Sequence, residues 1–277
     1  MRRSKAVRAR GFRLGTRRRG AWLRVERVIK RANIVLEVLD SRDPLGTRNL
    51  ELERLARRLG KCLLLVLNKA DLVPRRVLDE WIGFFKSKGY TVFPVSAKRR
   101  RDLELLGRYV REAAGRRRVV LGVVGYPNVG KSTIINGLKG RRVAETSPIP
   151  GFTRGEKMVK VDDRLLLVDT PGVLPIKRGS ASSLVLRGFI SPEKLRNPVS
   201  PAVKLLEDIL DSMPNLLRET YGIEGGAPDR FLDDLAARRG FLLKGGEPNV
   251  EEAARLILRD WQTGKLRFYK SVPRKPP

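Results

Sequence analysis

The sequence predicts a three-layer α/β domain with a mostly parallel sheet, followed by a small all-helical C-terminal domain. In the first part of the chain, apolar and β-branched runs typical of buried strands alternate with amphipathic segments of helical period. Such alternation is typical of parallel sheets covered by helices on both faces. Further along, only helical patterns occur. We therefore divide the chain into a basic N-terminal arm over 1–20, an α/β domain over 21–190 and a helical domain over 191–277.

The individual elements follow from residue type and from the turn residues between them. Apolar runs predict strands at 32–40, 61–71, 91–98 and 117–125, and a strand, a turn and a second strand within 156–172. Amphipathic spacing predicts helices at 50–60, 76–89, 102–115 and 131–140, and then at 202–213, 231–240 and 250–264. The proline-rich end, 271–277, is expected to be a frayed tail.

The net charge is strongly positive and unevenly distributed. The formal charge is +29, and residues 1–31 contain thirteen basic residues and one acid, whereas 201–277 contain thirteen basic residues and twelve acids. This asymmetry favours a polyanionic partner, and RNA is favoured over a membrane because no lipidation motif stands beside the charge. Phe12 and Trp22 lie among the arginines, so 1–31 is interpreted as a segment that folds on RNA. The alternative is a solvated basic tail.

Two residue types that support common chemistries are scarce. Cys62 is the only cysteine and histidine is absent, which excludes an internal disulfide, the usual zinc sites and a histidine general base. No apolar run is long enough to span a membrane, and the single cysteine favours a reducing cytoplasm. The scarcity of heat-labile residues indicates a thermophile, although biased codon usage explains it equally well.

A glycine-rich string, "GYPNVGKST" at 125–133, lies between a predicted strand and a predicted helix. We call it the phosphate loop, because glycines at 125 and 130 let backbone N–H groups point at phosphate oxygens beside the N-terminus of a helix. Lys131 would neutralise the β- and γ-phosphates, and the Ser132 hydroxyl would be a magnesium ligand. The alternative, a simple glycine-rich turn, leaves Lys131 and Ser132 unexplained.

A second phosphate-directed string, "LLLVDTPG", ends at Gly172. Asp169 would hold a magnesium-bound water and Gly172 would offer its N–H to the γ-phosphate. A threonine is also expected to contact magnesium through its hydroxyl. Thr153, in "PGFTR", is the preferred residue for this role, and Thr146 is its rival.

The string "NKAD" at 68–71, which we call the base loop, indicates which base is bound. Guanine presents two donors on one edge, N1–H and the N2 amino group, and Asp71 can accept from both, whereas adenine would leave the carboxylate facing a lone pair. Asn68 would connect this loop to the phosphate loop, and the Lys69 stem would lie over the base. The segment Ser96–Ala97–Lys98, which we call the SAK segment, would bring backbone N–H groups near guanine O6.

These strings resemble the five motifs of GTPases, but in circularly permuted order, with the base loop before the phosphate loop. With "DSRDP" at 40–44 and the helical ending "EEAARLILRDWQTGKLRFY", the chain resembles the YlqF/YawG-like circularly permuted GTPases over roughly 20–270. The resemblance implies a P-loop GTPase fold and GTP hydrolysis coupled to maturation of a ribosomal subunit, usually the large one. Permutation preserves the site because a nucleotide pocket requires loops that meet in space, whatever their order in the chain.

Catalysis is the part of the mechanism that the motifs leave open. Many GTPases orient water with a glutamine after their DxxG motif, and Val173 stands in that place. Some family members are thought to use an N-terminal histidine, which this sequence lacks. Asn128 occupies a position where similar GTPases help to bind potassium, although it could instead only stabilise the loop. We expect slow hydrolysis, raised by potassium and by rRNA.

The predicted site is the sum of these assignments. The predicted nucleotide contacts are Asn68, Lys69, Asp71, Ser96, Ala97, Lys98, Asn128, Val129, Gly130, Lys131, Ser132, Thr133 and Gly172. The predicted metal contacts are Ser132, Thr153 and Asp169, and the predicted catalytic residues are Asn128, Thr153 and Gly172. The cofactors are GTP or GDP, magnesium and potassium, and the partner is rRNA in a ribosomal precursor, bound by a cytoplasmic monomer.

The sequence is compatible with two functional classes. The first is an RNA-stimulated GTPase that acts as an assembly switch, and the second is a nucleotide-gated RNA-binding module with negligible turnover. A signalling GTPase fits the charge less well. In the helical domain, Trp261, Phe268 and Tyr269 either contact RNA or belong to the core, and core is the favoured interpretation.

Overall fold

The computed structural model describes residues 9–139, 158–168, 172–174, 180–224 and 226–273, with side chains from residue 20 onward except at 172 and 173. The chain divides into two compact units. The first, which we call the sheet unit, comprises Met1–Ile176 together with Ser271–Pro277. The second, the helical unit, comprises Lys177–Lys270. It includes a helix that precedes residue 191, where the sequence places the start of the helical domain.

The sheet unit is built on a seven-stranded sheet within the described residues. The strands are β1 (Ile34–Asp40), β2 (Cys62–Asn68), β3 (Thr91–Val95), β4 (Val119–Gly125), β5 (Met158–Lys160), β6 (Leu165–Val168) and β7 (Gly172–Val173). Their order is β3-β2-β1-β4-β6-β5, with β7 also beside β4. Every described pairing is parallel except that of β5 with β6. The predicted mostly parallel sheet is therefore confirmed.

Five helices accompany this sheet in the described part of the unit. They are α1 (Ala9–Arg31), α2 (Leu50–Arg58), α3 (Arg75–Ser87), α4 (Arg100–Ala113) and α5 (Lys131–Lys139). Helix α2 begins at a favourable N-cap, because the Asn49 side chain accepts hydrogen bonds from the N–H groups of Glu51 and Leu52. The helices predicted at 50–60, 76–89, 102–115 and 131–140 correspond to α2–α5 within two residues at each end.

Helix α1 contradicts the interpretation of 1–31 as a segment that folds only on RNA. Val25, Val28 and Ile29 are each at most 2% exposed, so the last turns of α1 belong to the core. Gly122 of β4 allows this packing, since a Cβ there would lie 2.9 Å from side-chain carbons of Val28 and Ala32. The spacing of the three apolar residues is that of one helix face, but the surrounding arginines conceal it in the sequence.

The helical unit contains α6 (Ala181–Leu186), α7 (Val199–Ser212), α8 (Leu216–Tyr221), α9 (Pro228–Arg239) and α10 (Val250–Thr263). Helices α7, α9 and α10 were predicted, whereas the short α6 and α8 were not. Trp261 and Phe268 are 5% and 3% exposed and lie in this unit's core, where the Trp261 indole donates to the Phe268 carbonyl at 3.3 Å. The favoured interpretation of these two aromatics as core residues is confirmed.

The end of the described chain is packed, which contradicts the expectation of a frayed tail at that point. Val272 packs against an apolar cluster of the sheet unit that contains Trp81 and Phe85 of α3. Burial of an apolar side chain fixes the backbone that carries it, and so the tail is anchored at least to residue 272. In the described part of the chain, no helix combines the length and the apolar character needed to cross a membrane.

Candidate nucleotide-binding site

The predicted loops meet because four parallel strands end at the same edge of the sheet. Asp40 of β1 lies opposite Asn68 of β2, and Asn68 lies opposite Val95 of β3. The base loop therefore begins beside the SAK segment, which follows β3. Strand β4 is the other neighbour of β1, and the phosphate loop begins at its last residue. In an open parallel sheet this edge is where ligands bind.

Asn68 joins the three loops through its side-chain amide. The Nδ2 atom donates to the Val129 carbonyl of the phosphate loop at 2.8 Å, and Oδ1 accepts from the Ala97 N–H at 3.0 Å. The side chain is buried, with 2% exposure, so both hydrogen bonds are shielded from competing water. This is the connection between base loop and phosphate loop that the sequence predicts for Asn68.

The Asp71 carboxylate is oriented by the SAK segment. Its Oδ1 accepts from the Ser96 hydroxyl at 2.6 Å, and the Ser96 N–H in turn donates to Asp102 at 2.8 Å. Asp71 is half-buried and sits in a short 3-10 helix, Ala70–Leu72. The N–H groups of Ser96 and Ala97 are thus already engaged by Asp102 and Asn68. Lys98 supplies the remaining N–H of the segment, which makes no hydrogen bond within the described residues.

Lys69 is held by a buried ion pair that the sequence reasoning missed. Its Nζ lies 2.8 Å from Asp40 Oδ2, and its backbone is left-handed, with φ of 61°. Arg42, only 1% exposed, also contacts Asp40 through its guanidinium, at 2.8 and 3.0 Å. Burial by itself would raise the pKa of Asp40, but the two cations hold it well below its usual value. The sequence signal for this ion pair was "DSRDP", which places an acid at the end of a buried strand and an arginine two residues later.

The phosphate loop has the backbone and the charge that a phosphate site requires. Gly125 and Gly130 have φ of 151° and 101°, which side-chain-bearing residues rarely adopt. Lys131 is 5% exposed, and its Nζ donates to the Tyr126 carbonyl. Burial lowers the pKa of Lys131 to about 8. A bound anion near the N-terminus of α5 would therefore stabilise the charged form of this buried ammonium.

Asn49, the N-cap residue of helix α2, also contacts the phosphate loop. The Asn49 Nδ2 donates to the Tyr126 hydroxyl at 3.0 Å, and the Asn49 N–H donates to Glu37 Oε1 of β1 at 2.7 Å. Tyr126 is 4% exposed. Burial, and then the nearby charge of Glu53, raise the pKa of Glu37 well above its ordinary value. The sequence reasoning missed this support, because nothing local in the sequence joins residues 49 and 126.

The remaining predicted residues are exposed, described by their backbone alone, or outside the described part of the chain. Asn128, Ser132 and Thr133 are exposed at the phosphate loop and the first turn of α5, and Asn128 has φ of 60°. Strand β7 brings the backbone of Gly172 beside β4, and the Leu174 N–H donates to the Gly125 carbonyl at 3.0 Å. Three predicted residues, Thr146, Thr153 and Asp169, lie outside the described residues.

We expect Gly130→Ala to disconnect the phosphate loop from the base loop. A Cβ at this position would lie 2.0 Å from Asn68 Nδ2, and the φ of 101° adds backbone strain. The free energy of unfolding should fall by about 1–3 kcal/mol, and the GTP affinity by about 100-fold, because the Asn68–Val129 hydrogen bond is lost. Denaturant titration and fluorescent-nucleotide binding measure the two effects.

The matched control is Gly89→Ala. Gly89 also has a positive φ, of 77°, but a Cβ there would meet none of the described atoms within 4 Å. It should lose a comparable part of the stability through strain and retain GTP affinity. Equal affinities for the two variants would contradict the role assigned to Gly130.

Three comparisons with other proteins bear on the site. The family model described as "50S ribosome-binding GTPase" matches residues 120–202. An uncharacterized GTP-binding protein of Methanocaldococcus jannaschii is 40% identical over 250 residues, covering 89% of this chain and 66% of that protein. Nucleolar GTP-binding protein 2 of Cryptococcus neoformans var. grubii is 36% identical over 278 residues, covering 95% and 40%. This chain thus spans less than two thirds of the length of these curated relatives.

Two solved structures are similar to this chain. The crystal structure of GNP-bound YlqF from T. maritima matches with a TM-score of 0.63 and 27% identity, covering 89% of this chain and 94% of that one. The GDP-bound structure of YlqF matches with a TM-score of 0.65. The sheet and the loops at its edge together identify the fold as that of a circularly permuted P-loop GTPase. The chain belongs to the YlqF/YawG-like family of circularly permuted GTPases.

Proposed function

We propose that this chain binds GTP, hydrolyses it slowly and acts as a switch in the assembly of a ribosomal subunit, the large one. The observation that carries the proposal is the hydrogen bond from Asn68 to Val129, across 61 residues of sequence. It joins a loop suited to guanine with a loop suited to phosphate, and so the two halves of the permuted sequence form one nucleotide site.

Guanine specificity rests on Asp71 and the SAK segment. We assign the Asp71 carboxylate as acceptor for guanine N1–H and the N2 amino group, with the Ser96 hydroxyl fixing its orientation at 2.6 Å. The Lys98 N–H is the donor that we assign to O6. The Lys69 stem covers the base while its ammonium stays on Asp40, at 2.8 Å. These assignments give the N1–H, N2 amino and O6 groups of guanine a partner, whereas adenine would leave the Asp71 carboxylate facing a lone pair.

The residues of the phosphate loop fit a nucleoside triphosphate with magnesium. Lys131 is buried and lacks a carboxylate partner among the described residues, so a phosphate would supply the missing charge. We assign Ser132 as a magnesium ligand, together with Thr153 and Asp169 as predicted from the sequence. Bound magnesium would neutralise charge on the β- and γ-phosphates. Gly172 is proposed to donate its N–H to the γ-phosphate.

Hydrolysis is proposed to be slow because no water-orienting side chain stands after the DxxG motif, where Val173 is found. We assign Asn128 a part in potassium binding, which would place a positive charge near the transferring phosphoryl group. Thr153 is proposed to contact magnesium through its hydroxyl.

The proposed partner is rRNA within a ribosomal precursor, and the proposed state is a cytoplasmic monomer. The formal charge of +29 supports a polyanionic partner. A fungal relative is named a nucleolar GTP-binding protein, and the matching family model is described as ribosome-binding. A charge of this size, concentrated in one half of the chain, fits RNA better than a protein effector.

The decisive experiment is multiple-turnover phosphate release with GTP, with and without purified ribosomal subunits. We expect a slow basal rate that rises with large subunits, and a higher rate in potassium than in sodium. Asn128→Ala should remove the potassium effect and leave GTP affinity within about threefold. Tight GTP binding without turnover under any condition would favour the alternative, a nucleotide-gated RNA-binding module. Equal affinity for ATP and GTP would overturn both.

GTP affinity should fall as the pH rises above 8. The buried Lys131 has a pKa of about 8, and a bound phosphate favours its charged form. Above that pH, GTP binding therefore requires Lys131 to take up a proton. We expect about a tenfold loss between pH 7 and pH 9. The control is Lys131→Arg, whose guanidinium stays charged, and titration of the nucleotide cancels in the ratio of the two proteins. Proton uptake, measured calorimetrically at pH 8.5, gives a second readout. Its absence would contradict the assignment.

A further inference from the structure

The sheet unit has a cavity of about 580 Å³ along its edge strand β3, between α3 and α4. Phe93, Pro94 and Leu105 contribute apolar surface to it, and Arg75 and Arg99 stand at its margin. The volume is within the range of small-molecule pockets, roughly 300–1,000 Å³. The cavity touches the base loop only at Ala70 and Asp71 and extends along β3, so most of it lies outside the assigned guanine contacts.

The outer face of α4 continues this surface. Leu105 and Tyr109 are 40% and 37% exposed, so apolar surface of both side chains is accessible next to the cavity. They are four residues apart and therefore share one helix face. The Tyr109 ring lies 5.2 Å from the Phe93 ring, centroid to centroid. An aromatic and aliphatic strip thus leads from the helix surface to the cavity.

The same region carries cations that have no acidic partner. Lys98, Arg99, Arg101 and Arg108 are exposed and form no ion pair within the described residues. The intervening Arg100 differs, since it pairs with Glu104 at 2.8 Å. By helical spacing, Arg101 and Arg108 share the face of Leu105 and Tyr109. Unpaired arginines that alternate with exposed aromatic and aliphatic side chains favour an anionic ligand with flat apolar parts.

The backbone of β3 argues against the other common occupant of a sheet edge, an added strand from a partner protein. Such a strand would need a continuous row of donors and acceptors along the outer edge of β3. Pro94, in the middle of the strand, has no N–H to give. A ligand that binds by stacking and charge does not depend on that row.

We propose that the cavity and the adjoining face of α4 bind a single-stranded RNA segment. One unstacked base enters the cavity beside Phe93 and Leu105, and flanking phosphates contact Arg99 and Arg101. The carboxylates of Asp71 and Asp102, which also line the cavity, accept hydrogen bonds from Ser96 and are thereby directed toward the SAK segment. This inference rests on the proposed function in taking RNA as the partner, and it adds the surface and the form of RNA.

The test uses the full chain and a single-stranded oligoribonucleotide of about ten nucleotides that contains 4-thiouridine. After irradiation and digestion, we expect cross-links in the peptides that contain Phe93 or Tyr109. Arg99→Ala with Arg101→Ala should weaken binding about tenfold and make the slope of log affinity against log salt shallower by about 1.4, the value for two single-strand phosphate contacts. Leu105→Glu, which introduces an acid at the cavity, should weaken binding at least as much.

The matched control is Arg54→Ala with Arg58→Ala, which removes the same charge from exposed positions on α2. These residues also form no ion pair within the described part of the chain. Unchanged GTP affinity in every variant would verify that the fold is intact. Equal weakening by both pairs, or cross-links confined to other peptides, would overturn this inference and leave the proposed function standing. If the unaltered protein bound neither the oligonucleotide nor ribosomal subunits, both this inference and the proposed function would be overturned.

Discussion

Asp71→Asn should convert the site from guanine to xanthine recognition, with the largest expected effect on binding. The Ser96 hydroxyl, which now donates to Asp71 Oδ1 at 2.6 Å, can donate to the oxygen of the new amide in the same way. The amide nitrogen then faces the base, where it meets the donors of guanine. We expect GTP affinity to fall by about 10⁴-fold, since a buried hydrogen-bonding site rejects a mismatched partner that strongly.

Xanthosine triphosphate provides the positive half of the same experiment. Xanthine carries an oxygen in place of the guanine amino group, so it can accept from the new amide. Titration calorimetry with both nucleotides should show the preference reversed. Asp79→Asn, at an exposed carboxylate of α3 that pairs with Arg75 at 2.9 Å, serves as control and should leave GTP affinity unchanged. A variant that binds GTP as tightly as the unaltered protein would exclude Asp71 as the guanine contact.

Asp40→Asn should cause the largest loss of stability. Asp40 is the shared partner of Arg42 and Lys69, and Arg42 is 1% exposed. Removing one member of a buried ion pair leaves the others uncompensated, which costs about 3–5 kcal/mol. Urea or guanidinium titration at pH 7 measures this loss. In the folded variant, GTP binding should also weaken, because Lys69 no longer has a fixed position beside the base.

The pH dependence identifies the charge of Asp40 as the cause. The pKa of Asp40 is lower in the folded protein than in the unfolded chain, so its contribution is present above the unfolded value of about 3.9 and is lost as the pH falls below it. The difference between unaltered protein and variant should therefore shrink below about pH 4. Glu104→Gln breaks the exposed ion pair between Arg100 and Glu104, whose side chains are 88% and 60% exposed respectively. It should cost less than about 1 kcal/mol. An equal loss from both substitutions would contradict the assigned role.

The motif loops were predictable because each is specified by a few neighbouring residues. The glycines of the phosphate loop, its Lys131–Ser132 pair and the position after a buried strand all lie within one short window. The base loop likewise follows its strand directly. Since parallel strands end at one edge, placing each loop after a strand is enough to predict that the loops converge.

Contacts between distant segments were not predictable in this way. The bond from Asn49 to Tyr126 spans 77 residues, and neither residue type suggests the other. The pairing of Lys69 with Asp40 depends on β1 and β2 being neighbours in register, which local propensity does not specify. Helix α1 shows a related failure, because its buried residues Val25 and Val28 are surrounded by arginines that dominate the local composition.

The sequence by itself determined the fold class, the permuted order of the loops and the types of residue that would face guanine and phosphate. These properties depend on hydrophobic period and on short strings, and both are local. Only the tertiary structure decided that β4 lies between β1 and β6, that Asp40 pairs with both Arg42 and Lys69, and that a cavity opens beside β3. Strand order, buried ion pairs and cavities arise from packing among segments far apart in the chain, where many arrangements satisfy the same local pattern.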